Sequence, residues 1–275
     1  MSIPSVDLDA AAVPARRRGS RPDARSFGGA LGVVVLLVVW WLLAVTVLSK
    51  GSAVPTPWAV VRQVLHDGWT FYGPNVRATA GEAAKGFLWG NVAAIGLAVV
   101  VLLVPPVEAL ALQLGLMSYC MPIIAVGPIL VVVFNGRTPM VALSALSVFF
   151  TTLIGSLVGL RAADPVTLDV VKAYGGGRWQ QLRRVQVISA VPGVLAALKI
   201  AAPAALLGAI IGEFLGNVDS GIGVSMTIAE QQLDVARTWG IALVAAVVAG
   251  VAYGAIALIA RLLTPWVNGR SGAPR

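Results

Sequence analysis

The side chains able to do chemistry in this 275-residue chain are few, and most of them collect in one polar stretch. Asp164 to Val185 holds Asp164, Asp169, Lys172, Tyr174, Arg178, Trp179, Arg183 and Arg184, with the run Gly175-Gly176-Gly177 between them. Such a set supports recognition rather than bond making, because no nucleophile, base and orienting group occur together. The single histidine, His66, has Asp67 beside it and reads as a solvated surface side chain. The single cysteine, Cys120, excludes an internal disulfide and any multi-cysteine metal site. It lies in an apolar stretch, where a buried thiol behaves as a small hydrophobe. The three glycines lead into Arg178-Trp179, and no Gly-x-x-x-x-Gly-Lys-[Ser/Thr] occurs, so the chain cannot hold a nucleotide by that device. Neither enzymatic activity nor a cofactor is expected of it.

The order of residues in the stretch dictates its local form. Asp164 suits an N-cap with Pro165 at the first helical position. Leu168, Val170 and Val171 then give one short apolar face. Tyr174 and the glycines end that helix and allow a sharp change of direction. Beyond them Trp179, Leu182 and Val185 recur every three residues, with Arg178, Arg183 and Arg184 off that side. Two uses fit this pattern: a basic amphipathic surface against anionic headgroups, or a ball that fits a socket on a cytoplasmic protein.

The elements that must position this stretch are transmembrane. Hydrophobic residues make up 58% of the chain and charged ones 12%, with a mean hydropathy of +0.87. Soluble domains carry about 25% charged residues, so the bilayer must solvate much of this chain. The net charge of +8 does not point to nucleic acid, because the basic residues sit between apolar spans rather than on one helix face. Six spans are expected: Gly29–Leu48, Gly86–Val104, Ala109–Phe134 (interrupted by Pro122 and Pro128), Pro139–Leu160, Ala190–Gly212 and Gly240–Leu263. In lipid only helices are reasonable, which makes this an all-α membrane protein. Residues 1–28 read as a mobile basic tail, 29–265 as the transmembrane domain with a long inside loop at 161–189, and 266–275 as a second tail. A signal peptide is the rival reading of the start, and the uncharged length of Gly29–Leu48 favours a retained anchor. Residues 49–85 form the other long loop, with an interfacial helix at Trp58–Leu65. Thirteen Lys and Arg fall on the side of the two tails and the 161–189 loop, against six on the other, which puts both termini in the cytoplasm.

The 161–189 loop resembles the EAA loop of binding-protein-dependent ABC importer permeases. Asp169-Val170-Val171 matches Glu-Ala-Ala, Gly175 the glycine, Val185 the isoleucine and Val187-Ile188 the Leu-Pro. Asp replaces Glu, valines replace both alanines, and Ile188 stands where proline is usual. Tyr174-Gly175-Gly176-Gly177-Arg178-Trp179 is similar to the hinge of the subfamily that handles nitrate, sulfonates, taurine and some vitamin precursors. The run from Pro122 to Leu130 through Phe134-Asn135-Gly136, then Phe149-Phe150, Glu213-Phe214 and Gly221-Ile222-Gly223, follow in that subfamily's order. The resemblance covers residues 55–265 and implies a type I importer permease of the bacterial plasma membrane. It implies a coupling helix docked on a separate ATPase subunit, present twice, with a second permease copy and an extracytoplasmic binding protein. Asp169, Val171, Tyr174, Gly175, Arg178, Trp179 and Val185 would form that contact, while lipid or water takes at least one of Arg178, Arg183 and Arg184.

The solute pathway is less marked. Lys199 lies a few residues inside the expected fifth span, placed either to snorkel to headgroups or to attract an anion in a water-filled route. Pro203 should kink that span, and Gly208 with its many alanines suits either tight packing or a pore wall. A secondary transporter or a channel is the alternative. None of the six expected spans contains Asp or Glu, which counts against proton or sodium coupling. Glu213 and Asp219 are expected near the outer surface, solvated or against the binding protein.

Overall fold

A backbone in lipid must satisfy its polar groups within each segment, and helices do so residue by residue. The computed structural model describes residues 24–46 and 54–265, and among them every regular element is helical. Residues 1–23 of the expected first tail and all of the 266–275 tail lie outside the described residues. Helix α1 (Ala24–Val45) starts five residues before the expected span, so residues 24–28 are helical. It belongs to one compact unit, and the chain from Trp58 onward to a second.

In the second unit α2 (Pro57–Leu103) is the longest element. Its one break is Gly68, whose φ of +63° is a left-handed conformation that glycine adopts without a Cβ penalty. The segment Trp58–Leu65 is helical, as expected, and lies before this break, with Trp58 exposed at 72%. After Gly68 the helix runs on to Leu103, through residues 69–85 that the sequence reading assigned to a loop. Arg77, Glu82 and Lys85 made that segment look like a loop, but charge alone does not end a helix. Pro105-Pro106 does.

The expected third span is two helices, α3 (Glu108–Cys120) and α4 (Ile123–Val133). Pro122 lacks an N–H and pushes Met121 to extended dihedrals, so the run cannot stay one helix. Cys120 ends α3 and is exposed rather than buried. Next come α5 (Thr138–Arg161), α6 (Pro165–Ala173) and α7 (Arg178–Gln181). A π turn at Leu182–Gln186 leads into α8 (Val187–Leu215), then α9 (Ile222–Gln231) and α10 (Val235–Leu263). Helix α8 stays helical through Pro203, and it starts before the expected span. Lys199 therefore stands roughly 18 Å along α8 from Val187 rather than near its end. Among the described residues four helices are long and apolar enough to cross a membrane: Pro57–Leu103, Thr138–Arg161, Arg178–Leu215 and Val235–Leu263.

Helix α5 packs along the length of α8 and closely against α2. Small residues allow the approach. A Cβ at Gly90 would meet the Ala145 carbonyl oxygen at 2.5 Å, and one at Gly208 would meet that of Leu143 at 2.7 Å. Met140, Leu143, Val148 and Leu153 are fully buried on α5, and Thr152 donates a hydrogen bond to Asn91 Oδ1 across to α2.

Candidate functional site

The polar stretch singled out in the sequence folds locally, as its residue order requires. Asp164 caps α6: its carboxylate accepts from the Val166 N–H at 3.2 Å and the Thr167 hydroxyl at 2.9 Å. Those bonds, the Thr167 hydroxyl first, hold its carboxyl below the usual carboxylate range. The helix ends at Tyr174, where Gly175 turns the chain with a φ of +78° and the Gly176 N–H closes on the Val171 carbonyl at 2.8 Å. Gln180 then accepts from the Gly177 N–H as α7 begins.

The expected apolar face of α6 splits in two. Leu168 and Val171 are half-buried, whereas Val170 points away from the protein. Val166, Val170 and Tyr174 follow at steps of four, one stripe on a helix, and their exposures are 70%, 51% and 90%. Asp169 is exposed and pairs with Lys172 at 2.9 Å. Past the glycines Leu182 is buried and Val185 half-buried, while Trp179 is exposed at 59%. Arg183 and Arg184 are exposed. Arg178 has a partner that the sequence did not suggest: its Nη1 donates to the Leu103 carbonyl at 3.2 Å, at the end of α2. A cation there meets the negative end of the helix dipole. Arg161 likewise pairs with Glu108 at 2.6 Å, tying the end of α5 to the start of α3.

A second constellation lies at the opposite ends of the same helices, and sequence reasoning missed it. Glu82 is 4% exposed on α2 and Glu213 is 2% exposed on α8, so two carboxylates are buried inside helices that cross the bundle. Both lie just outside the expected bounds of their spans, in helices that run further than expected, and Glu213 is buried rather than solvated. Glu213 accepts from the Thr79 hydroxyl and from the Gly223 N–H, both at 2.6 Å. Arg137 binds Glu82 through Nη1 and donates through Nη2 to the Ser220 carbonyl at 2.9 Å and hydroxyl at 2.7 Å. Asn75 Oδ1 accepts from the Gly221 N–H at 3.0 Å, and the Thr79 hydroxyl oxygen from that of Ile222 at 2.8 Å. Gly221 is held at φ +152°, and a Cβ there would run into the Glu213 carboxylate. Nearby, Arg237 grips Asp67 with two bonds of 2.9 and 3.0 Å, joining α10 to the segment before Gly68. His66 is exposed beside that pair.

The residues proposed for a pathway are not brought together. Gly208 is buried in the α5–α8 contact, and Pro203 and Lys199 are half-buried on α8. A cleft lies elsewhere, along α2 from Trp69 to Lys85 and the start of α5, with Arg77, Lys85 and Arg137 in its walls. Those three arginine and lysine positions entered the sequence reading only as charges on one side of the membrane.

Residues 86–270 match the family model described as binding-protein-dependent transport system inner membrane component. The chain is 28% identical over 204 residues to a probable ABC transporter permease protein of Haemophilus influenzae, covering 74% of this chain and 82% of that one. It is 24% identical over 233 residues to the formylaminopyrimidine transport permease protein ThiX of Halalkalibacterium halodurans, covering 84% and 93%. It is 25% identical over 277 residues to the putative aliphatic sulfonates transport permease protein SsuC of Bacillus subtilis, covering 98% and 97%.

Proposed function

The chain belongs to the binding-protein-dependent transport system inner membrane component family, the permeases of ABC importers, and from that we propose that α6 is the coupling helix on which a separate ATPase subunit docks. The observation that carries this reading is the stripe Val166, Val170 and Tyr174, held outward by the Asp164 cap and the Gly175 turn. An apolar stripe kept in water on a well-capped helix is a contact surface in want of a partner. Asp169, Val171, Arg178, Trp179 and Val185 support it: Val171 and Val185 seat the loop, Asp169 and Trp179 flank the stripe, and Arg178 passes its displacement to the end of α2. Arg183 and Arg184 face lipid headgroups or water.

The rest of the assembly follows from the same reading. The α6 end and both termini are cytoplasmic, and the two broken or short segments, α1 and the α3–α4 pair, bring the crossings to six. Residues 24–265 are the permease domain, between a 1–23 tail and a 266–275 tail. The importer holds two copies of this chain, an ATPase dimer and an extracytoplasmic binding protein, and this chain carries no cofactor of its own. The solute is a small anion or a vitamin precursor, the two classes suggested by relatives named for sulfonates and formylaminopyrimidine. Purification of the chain in mild detergent tests the docking. A stoichiometric soluble ATPase should accompany it and be lost when Val170→Asp and Tyr174→Ala are combined. Retention of the ATPase by that variant would refute the coupling assignment.

A further inference from the structure

After Gly68, one face of α2 is kept free of bulk by Gly73, Ala78 and Gly81. With Trp69 at its rim and the start of α5 as its far wall, this face bounds a cleft of about 830 Å³. Pockets for small molecules run from about 300 to 1,000 Å³. Four charged side chains line it: Arg77, Glu82, Lys85 and Arg137. Glu82 is buried and bound by Arg137, so that pair cancels. Arg77 and Lys85 are exposed and have no acidic partner among the described residues. The cleft thus keeps two uncompensated positive charges.

Their depth is informative. Lys85 stands roughly 27 Å from Leu103 along α2, close to the ~30 Å of a bilayer's hydrocarbon core, and Arg77 stands about 12 Å further out. Cations at that boundary are costly against lipid chains and turn toward water, anions or a cavity. Here they turn into a concave site at the end of the bundle opposite α6, beside the network that joins α2, α5, α8 and α9.

Resting on the reading of the chain as a permease, we infer that this cleft receives the solute on its way into the membrane and selects small organic anions, Arg77 and Lys85 binding the anionic group. A neutral solute gains nothing from two unpaired cations. A sulfonate or carboxylate gains charge-assisted hydrogen bonds to both, the Arg77 fork accommodating two oxygens at once. Arg137 is held in place by Glu82 and Ser220 and shapes the wall.

Cysteine labelling of the full chain tests this. In a Cys120→Ser background, Ala78→Cys places a thiol in the cleft and Leu233→Cys, at a position 84% exposed, places one outside it. In phosphatidylcholine nanodiscs, the rate with a sulfonate-bearing methanethiosulfonate is divided by the rate with its trimethylammonium counterpart. Changing Arg77→Gln and Lys85→Gln together should lower this ratio about tenfold at Ala78→Cys and leave it unchanged at Leu233→Cys. Millimolar ethanesulfonate should slow labelling in the cleft, and dimethyl sulfone should not. A ratio that ignores both substitutions would overturn the proposal. So would protection of Ala78→Cys by phosphatidylglycerol in place of ethanesulfonate, which would make the cleft a lipid headgroup site. Thr138→Cys reports on the same cleft if Ala78→Cys does not fold. Labelling needs no ATPase, so failure of α6 to hold one and failure of the cleft to select anions are separate results.

Discussion

The two ends of this bundle handle polar groups in opposite ways. On α6 the acids Asp164 and Asp169 are exposed and satisfied by neighbours within three residues, and apolar groups stand outside. At the other end Glu82 and Glu213 are buried and bound by residues up to 134 positions away, as in the Thr79–Glu213 contact. The first arrangement presents a surface without committing the bundle to it. The second interlocks α2, α5, α8 and the loop before α9, so that none of them shifts there without exposing or orphaning a charge.

Substitutions break or sharpen that contrast. The largest effect is expected for Arg137→Ala, which leaves Glu82 buried without its cation and should cost about 3 kcal/mol; unfolding in a mixed-micelle titration measures it, with Arg137→Lys recovering part of the loss. Gly208→Val comes next. Its Cβ would press on the backbone of α5, which cannot yield as a side-chain tip can, and the cost should be roughly 2 kcal/mol by the same titration. Gly175→Val should cost about 1 kcal/mol through its positive φ, confined to the loop. Its clearer signature is loss of ATP-driven uptake with membrane insertion intact, and normal uptake would count against the coupling role.

The smallest effect is expected for Asp164→Ala. Loss of the cap should speed amide exchange over residues 165–168 and leave the far end unchanged. The same carboxyl sets a pH dependence. Because its hydrogen bonds lower its folded pKa, the contribution is complete above the ordinary Asp value and disappears as pH falls through the lowered one. Exchange in α6 should therefore rise below about pH 4, and only there.

How much was legible follows from how far apart the partners are. Asp164, Pro165, Tyr174 and Gly175 occur within a dozen residues, so helix start, helix stop and turn could all be read in order. The same holds for the apolar runs behind α5, α8 and α10. The end of the second span was misread at its outer side, because Arg77, Glu82 and Lys85 look like loop residues until Arg137 and an open cleft are placed beside them. Glu213 reads as solvated from sequence for the same reason, since its partners Thr79 and Gly223 come from other elements. The split of α6 into a seated face and an outward stripe also needed the contacts of Leu168 and Val171.

The sequence by itself determined that the chain is helical, membrane-embedded and equipped with a capped stub helix between two spans, since each of these rests on periodicity, hydropathy or contacts a few residues apart. Only the tertiary structure decided which charges are buried and paired and which are left facing a cleft. Burial and pairing depend on side chains brought together from distant segments, and the electrostatic cost of each charge is set by those neighbours rather than by its own position in the chain.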